Sequence, residues 1–127
     1  RKDFPGGWPG DKIDAFNGIR LSSEQREAQN FIRELLNWRK SSSAIGKGSL
    51  VHYPVKNGVY VYFRSYENDL VMVMINNNKR SRKIDPNRFN EVISEKKLGI
   101  NVLDNKVYDL TTKINISGRG VLILEIN

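Results

Sequence analysis

At Ser49 the spacing of apolar residues changes character, and that change limits what the chain can fold into. Ahead of it, Ala28, Phe31, Ile32, Leu35, Leu36 and Trp38 recur at three- and four-residue steps, the period of one helix face. Behind it apolar side chains recur at every second position, the period of strands. One helix followed by a β-rich remainder is the expected order.

The helix is predicted over 23 to about 41. Ser22 suits its N-cap, and Gln25 stands three residues on, the spacing of a capping box. Arg39 and Lys40 close the last turn, where cations meet the negative end of the helix dipole. Ser41-Ser42-Ser43, Gly46 and Gly48 end it. Its greasy stripe has no partner within its own segment, so it must cover something.

The strands are announced by turns. Leu50–Tyr53 reads as a first strand and Lys56-Asn57-Gly58 as a tight hairpin, because Asn-Gly readily takes positive φ at both positions. Val59–Tyr66 follows, with Val59, Val61 and Phe63 on one face and Tyr60, Tyr62 and Tyr66 on the other. Glu67-Asn68-Asp69 turns the chain into Leu70–Ile75, apolar on both faces and therefore central. Lys83-Ile84 reads as a short strand and 87–92 as a helical turn. Ile100–Leu103 and Val107–Leu110 flank Asp104-Asn105, a two-residue hairpin signal. Lys113–Ile116 and Val121–Ile126 complete the set, parted by Gly118-Arg119-Gly120. Seven or eight short strands at such spacing predict a mainly β protein, an antiparallel Greek-key β-sandwich preceded by a loop and one amphipathic helix.

The loop spans residues 1–21. Its Phe4-Pro5-Gly6-Gly7-Trp8-Pro9-Gly10-Asp11 run cannot be helix or regular strand. It is expected to be ordered only if its aromatics pack on something. Phe4 and Trp8 either anchor it to a neighbouring domain, the preferred reading, or stack on sugar rings.

Candidate chemistry is sparse. His52, the one histidine, has no metal-ligand partners at short spacing and no Gly-x-Ser-x-Gly elbow beside it, so it reads as a strand histidine. Gly6, Gly7 and Gly10 lack the Lys-Ser/Thr of a P-loop and the dinucleotide-binding spacing. Asp3, Asp11 and Asp14 lie on a loop, whereas glycosidic hydrolysis needs two carboxyls held on rigid elements. Turn hydrogen bonds and helix-leading caps are the roles expected of them.

The net charge of +7 is spread along the chain, +3 in residues 1–48 and +4 in 49–127. The one dense cluster, Lys79-Arg80-Ser81-Arg82-Lys83, follows three asparagines and reads as a solvated turn into an edge strand rather than a nucleic-acid site. With no cysteine, disulfides and thiolate metal sites are excluded. No stretch approaches the roughly 20 apolar residues of a membrane-spanning helix. The opening Arg1-Lys2-Asp3, without an initiator Met, carries the expectation of a piece of a longer protein.

The run from Arg1 to Asp11, followed by Ala15-Phe16, resembles the segment after the eighth barrel strand in glycoside hydrolase family 13, above all bacterial neopullulanases and cyclomaltodextrinases. Gln25, Phe31-Ile32 and Trp38-Arg39-Lys40 resemble the last barrel helix of those enzymes, and Val59–Arg64 with Val71–Asn76 resembles the start of their C-terminal β-domain. The resemblance implies that residues 1–48 are the tail of a catalytic (β/α)8 barrel and that 49–127 form a β-sandwich of the α-amylase C-terminal type. It implies a parent that hydrolyses α-1,4 linkages of starch-derived oligosaccharides with retention, with α-1,6 linkages left open. The three carboxylates of that chemistry would all precede Arg1, so no catalytic residue and no metal ligand is expected here, and no cofactor. Phe4 and Trp8 would border the glucan cleft on the barrel's active-site face. The expected partners are the upstream barrel and, through the parent, α-glucan oligosaccharides, with neither nucleic acid nor membrane. A bacterial periplasmic or otherwise extracytoplasmic location is implied, with the cytoplasm as the alternative. The expected role is to stabilise the barrel by packing on it; the alternative is a carbohydrate-binding module gripping glucan through Tyr60, Tyr62, Tyr66 and Trp8.

Overall fold

The structure, a computed structural model, describes residues 4–127; Arg1, Lys2 and Asp3, the last of them one of the acids weighed above, lie outside the described residues. The chain forms two compact units, one ending at Leu36 and one beginning at Asn37. The second therefore starts ahead of the change in apolar period at Ser49.

The first unit holds the loop and most of helix α1 (Ser23–Ser41). The capping box is formed in both directions: Ser22 Oγ accepts the Gln25 N–H at 3.2 Å, and Gln25 Oε1 accepts the Ser22 N–H at 3.0 Å. No residue of α1 is buried, and Phe31, Ile32 and Leu36 are exposed. Among the described residues no helix is long and apolar enough to cross a membrane.

The second unit holds a short helix α2 (Ser43–Lys47), capped by Ser42, and eight strands. These are β1 (Ser49–Lys56), β2 (Val59–Tyr66), β3 (Asp69–Asn76), β4 (Arg82–Ile84), β5 (Leu98–Asn101), β6 (Val107–Asp109), β7 (Ile114–Ile116) and β8 (Val121–Ile126). A 3-10 turn, Pro86–Phe89, runs into the single-turn helix α3 (Asn90–Ile93). Six strands make one antiparallel sheet in the order β1-β2-β3-β8-β5-β6, while β4 and β7 form a two-stranded ribbon. The last strand returns to lie between β3 and β5, the long return of a Greek-key type of arrangement.

The expected Asn57-Gly58 hairpin is present, with positive φ at both residues (51° and 71°). The Asp104-Asn105 hairpin differs from expectation. β5 ends at Asn101, two residues before Leu103, because the Asn101 side chain turns inward and donates to Asp104 Oδ1 at 2.7 Å. Asp104 Oδ1 also accepts the Lys106 N–H at 3.0 Å, so five residues rather than two make the connection.

The core lies between the large sheet and the layer formed by the ribbon and the 3-10 turn. Val59, Val61 and Phe63 of β2, Leu70, Met72 and Met74 of β3, and Leu122, Leu124 and Ile126 of β8 meet Phe89, Ile93, Ile114 and Ile116. Tyr53 closes one edge: its ring packs edge-on against Phe89 (centroids 4.7 Å apart) and Phe63 (5.9 Å), and its hydroxyl donates to Glu91 Oε1 at 2.7 Å. Burial, helped by the hydrogen bond to Glu91 and its charge, pushes the Tyr53 phenol up to about 12 from 10.0. The native state then keeps a proton that the unfolded chain loses first, so the contribution of Tyr53 to stability is constant below pH 10 and is lost between about 10 and 12. Urea midpoints measured at pH 9 and pH 11 should show this drop, and Tyr53→Phe should lessen it; an unchanged drop in that variant would contradict the assignment.

Candidate functional site

The loop aromatics are presented to solvent. Phe4 is 64% and Trp8 75% exposed, and the Phe4 ring meets the edge of Phe16 at 5.3 Å, itself an exposed ring. Polar ties hold the loop within this chain. Asp14 Oδ1 accepts the Phe16 and Asn17 N–H groups at 2.8 and 3.3 Å, and its Oδ2 accepts Asn17 Nδ2 at 2.7 Å. The Ala15 N–H donates to Pro5 O at 3.0 Å, and Gln29 Nε2 of α1 donates to Ala15 O at 2.6 Å. Asp11 Oδ2 accepts the Trp8 N–H at 3.2 Å. Gly6 sits at φ 104° with its α-carbon so near Asp14 that a β-carbon would come within 2.5 Å of Oδ1. Asp11 and Asp14 thus have turn-forming roles, and the loop holds Trp8 out on a fixed frame.

In the second unit the large sheet has a second face. Strand register puts His52, Tyr62, Val73 and Ile123 in one row across it, and Tyr60, Ile75 and Val121 in the next. Tyr60 and Tyr62 lie 5.6 Å apart and tilted, with His52 edge-on to Tyr60 at 6.4 Å. Tyr66 stands apart at the end of β2, beneath the Lys47 ammonium at 5.6 Å. So two of the three tyrosines come together, and His52 is an exposed strand residue beside them. Val73 and Ile123, although they point away from the core, are only 4% and 7% exposed. The outer face of the central strands is consequently packed at Val71, Val73 and Ile123, as the doubly apolar run predicts, while Ile75 at the end of that run is exposed.

The seat of α2 belongs to this face. Arg64 of β2 donates from Nη2 to Ile45 O at 3.0 Å and from Nε to Ala44 O at 3.3 Å, satisfying carbonyls at the end of a short helix. Ala44 is fully buried. Trp38 donates from its indole Nε1 to Glu125 Oε1 of β8 at 2.6 Å. Sequence reasoning missed α2, since three serines and two glycines read as a helix stop. Ser42 as a second N-cap was the available signal.

Among the described residues no three His, Cys, Asp or Glu side chains converge as metal ligands. The Asp109 carboxyl is held below its ordinary range by the Thr111 hydroxyl and N–H, and Glu24 is held below its range by the Ser22 hydroxyl. Both favour the ionised form, the opposite of what a general acid needs. A shallow cavity of about 260 Å³ beside Ser41, Ser42, Asn68, Asp69, Glu125 and Asn127 is hydroxyl- and amide-rich.

Residues 50–125 match the family model of the cyclo-malto-dextrinase C-terminal domain. Solved structures share the fold. AmyP in complex with maltotriose aligns with a TM-score of 0.76 and 16% identity over 92% of this chain and 24% of its own. An Anoxybacillus α-amylase gives 0.68 and 19% over 95% of this chain and 26% of its own. The Geobacillus thermoleovorans α-amylase complexed with acarbose gives 0.67 and 15% over 85% and 24%. This chain thus spans about a quarter of their length. At such identities the likeness is one of fold. The family match covers well over half of the sequence and nearly all of the β-rich unit: the chain belongs to the cyclo-malto-dextrinase C-terminal domain family.

Proposed function

We propose that this chain is the C-terminal portion of a retaining glycosidase of the α-amylase type, close to neopullulanases and cyclomaltodextrinases, that acts on starch-derived oligosaccharides. Its own share is structural. Residues 1–48 supply the last loop and helix of a (β/α)8 barrel, and 49–127 the β-domain that packs against it and stabilises it. The carrying observation is the exposed stripe Phe31, Ile32 and Leu36 on a helix without a buried residue. Apolar area left in water costs roughly 25 cal/mol per Å², so such a stripe is expected to have a cover. The barrel that precedes a domain of this family is that cover. The extracytoplasmic bacterial location belongs to this reading and rests on the resemblance alone.

Incubated with maltoheptaose, the chain by itself is expected to release no reducing ends. Turnover by a clean preparation, abolished when the chain is removed, would overturn the reading. In the full-length enzyme Phe4 and Trp8 border the glucan cleft; their exposure on a frame fixed by Asp14 supports this. There Trp8→Ala should raise KM for maltooligosaccharides several-fold while the fold is kept, and an unchanged KM would remove Trp8 from the cleft.

A second reading is favoured by the Tyr60–Tyr62 pair, whose neighbouring rings offer a sugar-stacking surface on the sheet. Titration of the chain with maltoheptaose separates the two. Binding at millimolar concentration or tighter, lost in Tyr60→Ala and Tyr62→Ala, would make the β-domain a glucan-binding module; no binding leaves it a scaffold.

A further inference from the structure

At the open end of the core, the β1–β2 hairpin, β4, the 3-10 turn and the segment before β7 surround a cavity of about 290 Å³. Lys56, Arg82, Lys83, Arg88 and Lys113 line it, with Asp85 as the single acid. Five cations from four separate stretches of sequence meet there, and like charges drawn together raise the free energy of the empty site. The neighbouring groups do little to neutralise them. Asp85 is engaged in capping, its Oδ1 accepting the Asn87 N–H at 3.1 Å. Arg88 donates to a neutral acceptor, Pro54 O at 2.8 Å, and its guanidinium is steadied over the Tyr53 and Phe89 rings at 5.8 and 5.4 Å. Arg82 donates to another neutral acceptor, Asn78 Oδ1 at 3.3 Å. Each guanidinium has further N–H donors to offer, in the fork that suits an oxyanion. Ile84, half-buried in β4, gives the cavity a small apolar wall, while Val59 and Val61 behind it are buried in the core.

We propose that this cavity is an anion site for a phosphate group carried by a small molecule. At about 290 Å³ it is just smaller than most ligand pockets, about 300 to 1,000 Å³, which suits a monosaccharide phosphate better than an oligosaccharide. The doubly charged phosphoryl group meets Arg82, Arg88 and the lysines, and the sugar ring lies toward Ile84. The site is distinct from the Tyr60–Tyr62 surface, whose residues alternate onto the other face of β2.

The test is titration of the whole chain at low ionic strength with inorganic phosphate and, separately, with glucose 1-phosphate, followed by amide chemical shifts. Saturable one-to-one binding is expected, with shifts at Lys56, Arg82, Arg88 and Lys113. Glucose 1-phosphate should bind at least several-fold tighter than phosphate, and tighten as pH rises through about 6, where the monoester gains its second charge. Equal affinity for the two would assign the site to the free ion and refute the monosaccharide part. Lys113→Gln and Lys56→Gln, both at exposed positions, should each weaken binding about tenfold with an unchanged far-UV spectrum, whereas Lys97→Gln should not. Non-saturating shifts, indifference to Lys113→Gln, or tighter binding of a single-stranded oligonucleotide than of glucose 1-phosphate would overturn the proposal.

Discussion

Phe63→Ala is expected to destabilise the β-rich unit by about 3 to 5 kcal/mol. Phe63 is buried on the inner face of β2, and its ring meets Phe89 at 5.6 Å (60°) and Tyr53 at 5.9 Å (73°), both edge-on. Truncation removes the transfer free energy of a whole ring and two aromatic contacts worth about 0.5 to 1.5 kcal/mol each. The hole cannot easily collapse. Phe63 lies on a strand paired on both sides, with Val51 of β1 and Met72 of β3 as its register partners. At about 4 to 8 °C per kcal/mol for a domain of this size, the melting temperature should drop by 12 °C or more. Urea unfolding should show a lower midpoint. A loss below 1 kcal/mol would mean that the three-ring cluster is not the centre of the core.

Asn76→Ala is expected to cost about 2 to 4 kcal/mol, although it deletes only a small polar side chain. Asn76 ends β3 and is 1% exposed. Its Nδ2 donates to Ser117 O at 2.8 Å, Arg80 O at 3.0 Å and Ile116 O at 3.3 Å, so two hydrogens are shared among three carbonyls. Its Oδ1 accepts the Asn78 N–H at 2.9 Å and Asn78 Nδ2 at 2.8 Å. One amide therefore ties the end of β3 to the basic turn and to the end of β7. Asn76→Asp keeps the shape and reverses the electrostatics, setting a carboxylate against three carbonyl oxygens. It should be worse than Ala at neutral pH and recover in part as the pH falls toward about 4, because burial and the facing carbonyls raise the carboxyl above its ordinary range. Equal stability of the two variants at neutral pH would show that the carbonyls find water instead.

Asn76 also marks where sequence reading stops. In Asn76-Asn77-Asn78 nothing distinguishes one amide from the next, and the run reads as a polar turn. Which of the three is buried depends on β7 arriving forty residues later. The basic cavity was hidden for the same reason. Arg82 and Lys83 were visible as a charge cluster, but Lys56, Arg88 and Lys113 join them only through tertiary packing. By contrast, the Ser22–Gln25 box, the Asn57-Gly58 turn and the bounds of β2 and β8 were legible, because each is decided within a few residues. The edge of β5 was misplaced where a buried asparagine overrode the apolar run that follows it. In the loop, Asp14 was legible as a turn former. The exposure of Trp8 was not, since a Gly/Pro frame is compatible with either a packed or a presented ring.

Amide hydrogen exchange on the chain alone and on the full-length protein tests the scaffold reading most directly. Amides of β2, β3 and β8 should be strongly protected in both, while those of residues 28–38 should gain at least an order of magnitude of protection once the preceding barrel is present. Equal exchange at 28–38 in the two proteins would mean that the stripe through Leu36 has no partner upstream, and would contradict the role proposed for this domain.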